Sequence, residues 1–152
     1  MIFVFDLDGT VVDYSGRYHH IQSEPKDWNK FFGEIPYDPP FMNMVKWIKS
    51  ISSEYVVLQT GRPQKYRKST VRWLKDHGLI NSYDNLLMRD DKNFESGVDL
   101  KLRFLDQIRT DYKTDQILWI EDKIEVVKAI NAQGVLALST AHFKTKVSLE
   151  DM

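Results

Sequence analysis

Two aspartates stand one residue apart, at Asp6 and Asp8, directly after the apolar run Ile2-Phe3-Val4-Phe5 and before Gly9 and Thr10. Carboxylates held this close repel each other. A divalent cation relieves the repulsion, and oxygen ligands favour a hard ion such as Mg²⁺. A carboxylate held against a metal-bound phosphate is also a nucleophile, because an aspartyl-phosphate splits one hard displacement into two easier ones. A second acid pair, Glu121-Asp122, closes another strongly apolar run, Gln116 to Ile120. Between the two pairs lie Thr60-Gly61-Arg62 and, further on, Lys101. A hydroxyl just past a strand end can hydrogen-bond a phosphate oxygen, and the amides of the following turn bind anions. An ammonium can neutralise a nucleophile and the charge that grows on a transferring phosphoryl group. Taken singly, each feature is ordinary: acids close strands, Thr-Gly makes turns, and lysines sit on solvated helix faces. Their occurrence as a set points to phosphoryl chemistry.

The elements that must position these residues read clearly. Ile2 to Phe5 is too short for a helix and rich in β-branched and aromatic residues, as expected of a buried parallel strand. Further strands are expected at 55–60, 85–89, 116–120 and 135–138, and helices alternate with them. A short helix over 24–33 has proline near its start and glycine at its end. Phe41, Met44, Val45, Ile48 and Ile51 mark an amphipathic helix introduced by Asp38 and two prolines. Tyr66, Thr70, Trp73, Leu74 and His77 form one face of the next, ended by Gly78; its outer face carries Lys65, Arg67, Lys68, Arg72 and Lys75. Helices are also expected at about 98–109 and from Ile124 to near Gly134, with a peripheral tail from Ala141. The fold class is therefore α/β: a three-layer, doubly wound parallel sheet of about five strands with right-handed crossovers. In such sheets ligands bind outside the carboxyl ends of the strands, where the acid pairs and Thr60 fall.

The 152 residues suit a single domain, 1–152, and 42% hydrophobic residues suffice for a real core. A net charge of −1 gives no general affinity for nucleic acid. There is no cysteine, hence no thiol chemistry, which is compatible with a cytoplasmic location. No signal peptide is expected ahead of the first strand, and no apolar run approaches transmembrane length.

Asp6-Leu7-Asp8-Gly9-Thr10-Val11 after an apolar strand resembles the first motif of haloacid dehalogenase (HAD) phosphohydrolases. The resemblance implies Asp6 as nucleophile, Asp8 as general acid/base, and Mg²⁺ as cofactor. It implies Thr60 as the second motif, Lys101 as the third and Glu121-Asp122 as the fourth. The metal would be held by Asp6, Asp8 through its backbone carbonyl, and Asp122, with Glu121 water-mediated or further out. Asp-Asp is common in the family where this chain has Glu121-Asp122. Phospho-accepting receiver domains use similar groups, but with an acid pair first and the lysine last; here an acid pair follows the lysine.

Small-molecule members of the family usually carry a cap domain. The gaps 12–40 and 62–101 leave room for no or only a minimal cap, so an open site and a large substrate are expected. Arg17, Arg62 (with Gly61) and Arg89 stand at offsets that resemble the phosphatase half of phage-type polynucleotide kinase-phosphatases. Guanidinium groups bind phosphate bidentately. The resemblance implies removal of 3′-phosphate from DNA or RNA ends, with phosphorylated nucleic-acid ends as substrate and no membrane or obligate protein partner. In a departure from that family no kinase domain is expected ahead of Met1, so a stand-alone phosphatase is expected. Tyr14, Tyr18, His19 and His20 are candidates to stack on a terminal base. The acidic residues that precede the lysine in that family are not matched in register around Asp99. The alternatives are a 5′-nucleotidase or other small-molecule phosphatase, a capless protein phosphatase, and a degenerate binding-only member, against which the intact Asp6-x-Asp8 argues.

Overall fold

The computed structural model describes residues 1–140; the expected peripheral tail lies outside the described residues. Five parallel strands form one sheet in the order β3-β2-β1-β4-β5. β1 (Ile2–Asp6) is central, flanked by β2 (Tyr55–Pro63) and β4 (Ile117–Glu121), with β3 (Asn85–Arg89) and β5 (Leu136–Ser139) at the edges. The helices are α1 (Trp28–Gly33), α2 (Met42–Ser50), α3 (Arg67–Asp76), α4 (Gly97–Tyr112) and α5 (Ile124–Asn131). Among the described residues no helix is long and apolar enough to cross a membrane.

Alternation along β1 explains the layers. Ile2 and Val4 point into a core with Leu100, Leu105 and Ile108 of α4 and Ile130 of α5. Phe3 and Phe5 point the other way, toward Val45 and Ile48 of α2 and Trp73 and Leu74 of α3. A strand buried on both faces has no polar face to alternate, hence its continuous apolar run. This three-layer, doubly wound sheet is the fold expected from the sequence.

Two boundaries differ from expectation in ways that matter for the site. β2 does not stop at Thr60; it continues through Gly61 and Arg62 to Pro63, which pairs with Arg89 across a register shift. Such a bulge re-aims side chains at a strand end. The start of α2 is also different: its N-cap is Phe41, without a side-chain hydrogen bond, so Asp38 does not introduce this helix. Asp38 is engaged by Arg17 instead. α4 runs longer than expected at both ends, its first turn capped by the Ser96 hydroxyl, which accepts from the Asp99 N–H at 3.1 Å.

Candidate active site

β1 delivers Asp6 as its last residue, β4 delivers Glu121 as its last residue, and Asp122 follows at once. One carboxylate oxygen from each of the three lies within 4.8 Å of the others. Gly9 makes this approach possible. It sits at φ +88°, and a Cβ there would stand 2.1 Å from Asp122 Oδ2. Only glycine takes that conformation without strain and leaves that space.

α4 lays Lys101 across the cluster. Its Nζ donates to Asp6 Oδ1 at 2.9 Å and to Glu121 Oε1 at 2.7 Å, and the side chain is buried. Glu121 is fully buried and also accepts from Gln59 Nε2 at 3.3 Å. Thr10 Oγ1 donates to Asp6 Oδ2 at 3.4 Å. Burial and the neighbouring Glu121 push Asp6 well above the usual carboxylate range, with Lys101 pulling the other way. Burial also raises Asp122. Glu121 goes down: Lys101 outweighs the cost of its burial.

Asp8 lies outside the trio and is gripped from two sides. Arg17 Nη2 donates to its Oδ1 at 2.6 Å; Arg62 donates through Nη2 to Oδ1 at 2.7 Å and through Nε to Oδ2 at 3.0 Å. Burial opposes charge on Asp8, yet the Arg62 and Arg17 guanidiniums hold it below the usual range. Both arginines are themselves buried and fixed from behind. Arg62 Nη1 donates to Thr70 Oγ1 at 3.0 Å. Arg17 Nε donates to Asp38 Oδ2 at 2.7 Å and Nη1 to the Phe31 carbonyl at 3.3 Å, with the guanidinium over the Phe31 ring. Thr60 Oγ1 accepts from the Arg62 N–H at 3.2 Å, so the bulge of β2 sets both residues at once.

Asp6, Asp8, Thr60, Arg62 and Lys101 line one cavity of about 230 Å³ that also takes in Gly61, Arg89 and Lys123, while Arg17, Glu121 and Asp122 stand behind its lining. Arg89 is held at its rim, with Nε donating to the Gly61 carbonyl at 3.0 Å and Nη1 to the Glu95 carbonyl at 2.7 Å. The acids, Thr60, Lys101 and the three arginines named from sequence therefore converge on one sheet edge. Tyr14 and Tyr18, candidates named from sequence, line this cavity; Trp28, Phe31 and Phe32 join them as an aromatic wall from the segment between β1 and α2 that was not expected. His20 turns away, 2.8 Å from Glu34 Oε1, with His19 against its ring, and neither lines the cavity. Sequence reasoning missed Asp38, Gln59 and Thr70 as supports; polar residues placed in or beside apolar runs were the available signal.

Residues 1–142 match the family of the polynucleotide kinase PNKP phosphatase domain. The chain belongs to this family. No curated protein sequence matches it. Among solved structures it is similar to a chain in the Pnkp1/Rnl/Hen1 complex, with TM-score 0.69, 21% identity, and coverage of 91% of this chain but 45% of that one. The chain thus spans under half the length of that protein. A hydrolase from Streptococcus pneumoniae TIGR4 is similar over 97% of both chains, with TM-score 0.64 and 14% identity. The L-2-haloacid dehalogenase from Xanthobacter autotrophicus is similar over 91% of this chain and 76% of that one, with TM-score 0.65 and 10% identity. At these identities the likeness is one of fold, and the fold is that of HAD hydrolases.

A PNKP-type HAD phosphatase domain implies a divalent cation, and the residues present fit one. Asp6, Glu121 and Asp122 are hard oxygen donors. Asp122 Oδ1 is buried without a hydrogen-bond partner, an orphan that a buried carboxylate does not normally tolerate. Three carboxylates against the one ammonium of Lys101 leave two negative charges when all are ionised, which a divalent ion balances.

Proposed function

We propose that this domain is a Mg²⁺-dependent phosphomonoesterase that removes 3′-phosphate from polynucleotide ends. The observation that carries the reading is the convergence of Arg17 and Arg62 on Asp8, beside the Asp6–Lys101 pair and with Arg89 at the rim. A buried guanidinium lining the cavity, Arg62, with Arg89 beside it and Arg17 on the same carboxylate, suits phosphate oxygens, and more than one guanidinium suits a phosphate attached to further phosphates.

Asp6 attacks phosphorus in line, the bond from phosphorus to the 3′ oxygen breaks, and Asp8 gives that oxygen its proton. Water then attacks the aspartyl-phosphate while Asp8 takes the water's proton, releasing inorganic phosphate and restoring Asp6. Lys101 and Thr60 stabilise the phosphoryl oxygens. Asp6, Asp122, the Asp8 backbone carbonyl and, further out, Glu121 would hold Mg²⁺. The ion would supply positive charge that keeps Asp6 ionised and offsets charge on the phosphoryl group.

The grip on Asp8 has a consequence for its role. With Arg17 and Arg62 both donating to it, Asp8 is held as the anion. A phosphate that enters and draws those guanidiniums to itself removes that stabilisation. The Asp8 pKa then climbs toward the value a proton donor needs, so the acid is armed by substrate.

The test is a substrate panel with Mg²⁺ or EDTA: a 3′-phosphorylated oligonucleotide, nucleoside 3′- and 5′-monophosphates, a phosphopeptide and p-nitrophenyl phosphate. The oligonucleotide should be hydrolysed with the highest kcat/KM, only with the metal, and Asp6→Asn should abolish turnover while melting like the parent. An active Asp6→Asn variant would refute the nucleophile; preference for a 5′-monophosphate would refute the substrate.

A further inference from the structure

A second cleft, of about 470 Å³, opens beside the catalytic cavity and shares Trp28, Phe32, Gly61 and Arg89 with it. Its far side carries Phe94, Tyr66 and Lys65. Phe94 is 91% exposed and Trp28 47% exposed. A phenylalanine left almost wholly in water, on the loop between β3 and α4 and facing a cleft with a second exposed aromatic, contributes nothing to folding. The acids of this cleft are occupied. Asp91 Oδ1 accepts from the Lys65 N–H at 2.9 Å, and Glu95 pairs with Arg103 at 2.9 Å. They therefore repel an incoming anion less than free carboxylates would.

Lys65 also belongs to a third, shallow groove along α3 with Lys68, Arg72 and Lys75. Lys68, Arg72 and Lys75 fall three and four residues apart on one helix face. The three concavities thus join through shared residues into one track: catalytic cavity, aromatic cleft, cationic groove. The sequence supplies the basic stripe but no aromatic ladder beside it on α3; the aromatics come from α1 and the loop before α4.

The geometry points to a single-stranded polynucleotide path. The 3′-phosphate enters the cavity, the base of the nucleotide next to the terminal one stacks in the cleft between Trp28 and Phe94, and the phosphates beyond run along Lys65, Lys68 and Lys75. This inference rests on the 3′-phosphatase reading and extends it to the substrate's second nucleotide and to strandedness. A base stacked between Trp28 and Phe94 is an unpaired base, so the path takes a single strand in preference to a paired duplex end. Aromatic stacking tolerates any base, so the path implies length dependence without sequence preference.

The experiment compares kcat/KM for a nucleoside 3′-monophosphate, single strands of increasing length and a blunt duplex, all 3′-phosphorylated, in the parent, Phe94→Ala and Lys68→Ala/Lys75→Ala proteins. p-Nitrophenyl phosphate serves as control. Single strands of a few nucleotides should exceed the mononucleotide and the duplex. Phe94→Ala should lower kcat/KM for the oligonucleotides about 5- to 100-fold, chiefly through KM. It should leave the mononucleotide and p-nitrophenyl phosphate alone. The double lysine variant should flatten the slope of log kcat/KM against log salt by about 1.4 for the longer strands, since each phosphate deprived of its lysine accounts for about 0.7. Equal kcat/KM for mononucleotide and oligonucleotide, an equal loss on every substrate in Phe94→Ala, or a preference for the duplex overturns the path while leaving the 3′-phosphatase reading intact. No hydrolysis of any 3′-phosphate, with p-nitrophenyl phosphate still turned over, overturns the 3′-phosphatase reading and this path with it.

Discussion

Replacing Lys101 by methionine keeps most of the side chain's length and removes its charge. In the parent, that ammonium is the only protein cation touching Asp6 and Glu121 among the described residues, at 2.9 and 2.7 Å. The variant leaves three carboxylates within 4.8 Å of one another with no opposite charge among them. Removing one partner of a buried ion pair costs about 3–5 kcal/mol, because the other charge stays buried and uncompensated. For a chain of this size each kcal/mol moves the melting temperature about 2–4 °C, so a fall of roughly 6–20 °C is expected in EDTA. The pH dependence follows from the signs of the shifts. Lys101 itself is raised above its ordinary value of 10.5, so what it contributes is constant through the neutral range and is lost only in strong alkali. Asp6 and Asp122 are already raised, and without Lys101 they rise further. The folded variant therefore binds protons that the unfolded chain has released, and its deficit grows as pH rises from the ordinary carboxylate range toward neutrality.

A divalent cation should restore more stability to the variant than to the parent, since it supplies the charge that was removed; at about a hundred times Kd it contributes about 2.7 kcal/mol. Turnover should nevertheless stay down by about 10²- to 10³-fold, because the proposed mechanism assigns the lost donor to the phosphoryl oxygens. Thermal melts in EDTA and in Mg²⁺ at acid and neutral pH provide the measurement. A variant that melts within about 2 °C of the parent in EDTA, or whose deficit is the same at both pH values, would refute the reasoning that Lys101 offsets a repelling carboxylate cluster.

Gly9→Ala should weaken Mg²⁺ binding at least tenfold and lower the melting temperature by a few degrees, because a Cβ would stand 2.1 Å from Asp122 Oδ2 at a backbone φ of +88°; isothermal titration checks it, and unchanged affinity would remove Asp122 from the metal site. Arg17→Ala should spare p-nitrophenyl phosphate more than a 3′-phosphorylated oligonucleotide, and equal losses would count against a polynucleotide site. The same variant carries a pH signature. Burial lifts Asp38 from 3.8 to about 6 despite Arg17, so the folded state holds a proton there that the unfolded chain has lost, and stability falls as pH rises through that window. Without Arg17 the carboxyl rises further, so the gap in melting temperature between parent and variant should widen as pH passes upward through about 6; a gap independent of pH would show that Asp38 does not depend on Arg17.

The fold and the acid pairs were legible because each rests on a local pattern. Four apolar residues before Asp6, and four before Glu121, state their strand and its buried end without reference to any other segment. Amphipathic spacing did the same for α2 and α3. What stayed hidden depends on partners distant in the chain. Asp38 looked like a cap because a local reading finds an acid and two prolines ahead of a helix; its real partner is Arg17, twenty-one residues earlier. Thr60 looked like the end of β2 because Gly61 follows; the strand continues because Pro63 pairs with Arg89.

The aromatic wall has the same origin, and it changes the functional argument. An open site was expected because the segment between β1 and α2 is too short for a cap domain. Arg17 gives that segment a fixed place: one guanidinium binds Asp8, Asp38 and the Phe31 carbonyl and covers the Phe31 ring. The residue expected to hold substrate thereby also fastens Phe31, which with Trp28 and Phe32 lines the cavity. A phosphate that draws Arg17 away from Asp8 leaves its bonds to Asp38 and Phe31 in place, since these use Nε and Nη1 while Asp8 uses Nη2. Substrate can therefore compete for the catalytic end of Arg17 without loosening the wall. That division of one side chain between two tasks allows a segment too short for a cap domain to hold an aromatic wall beside the catalytic groups.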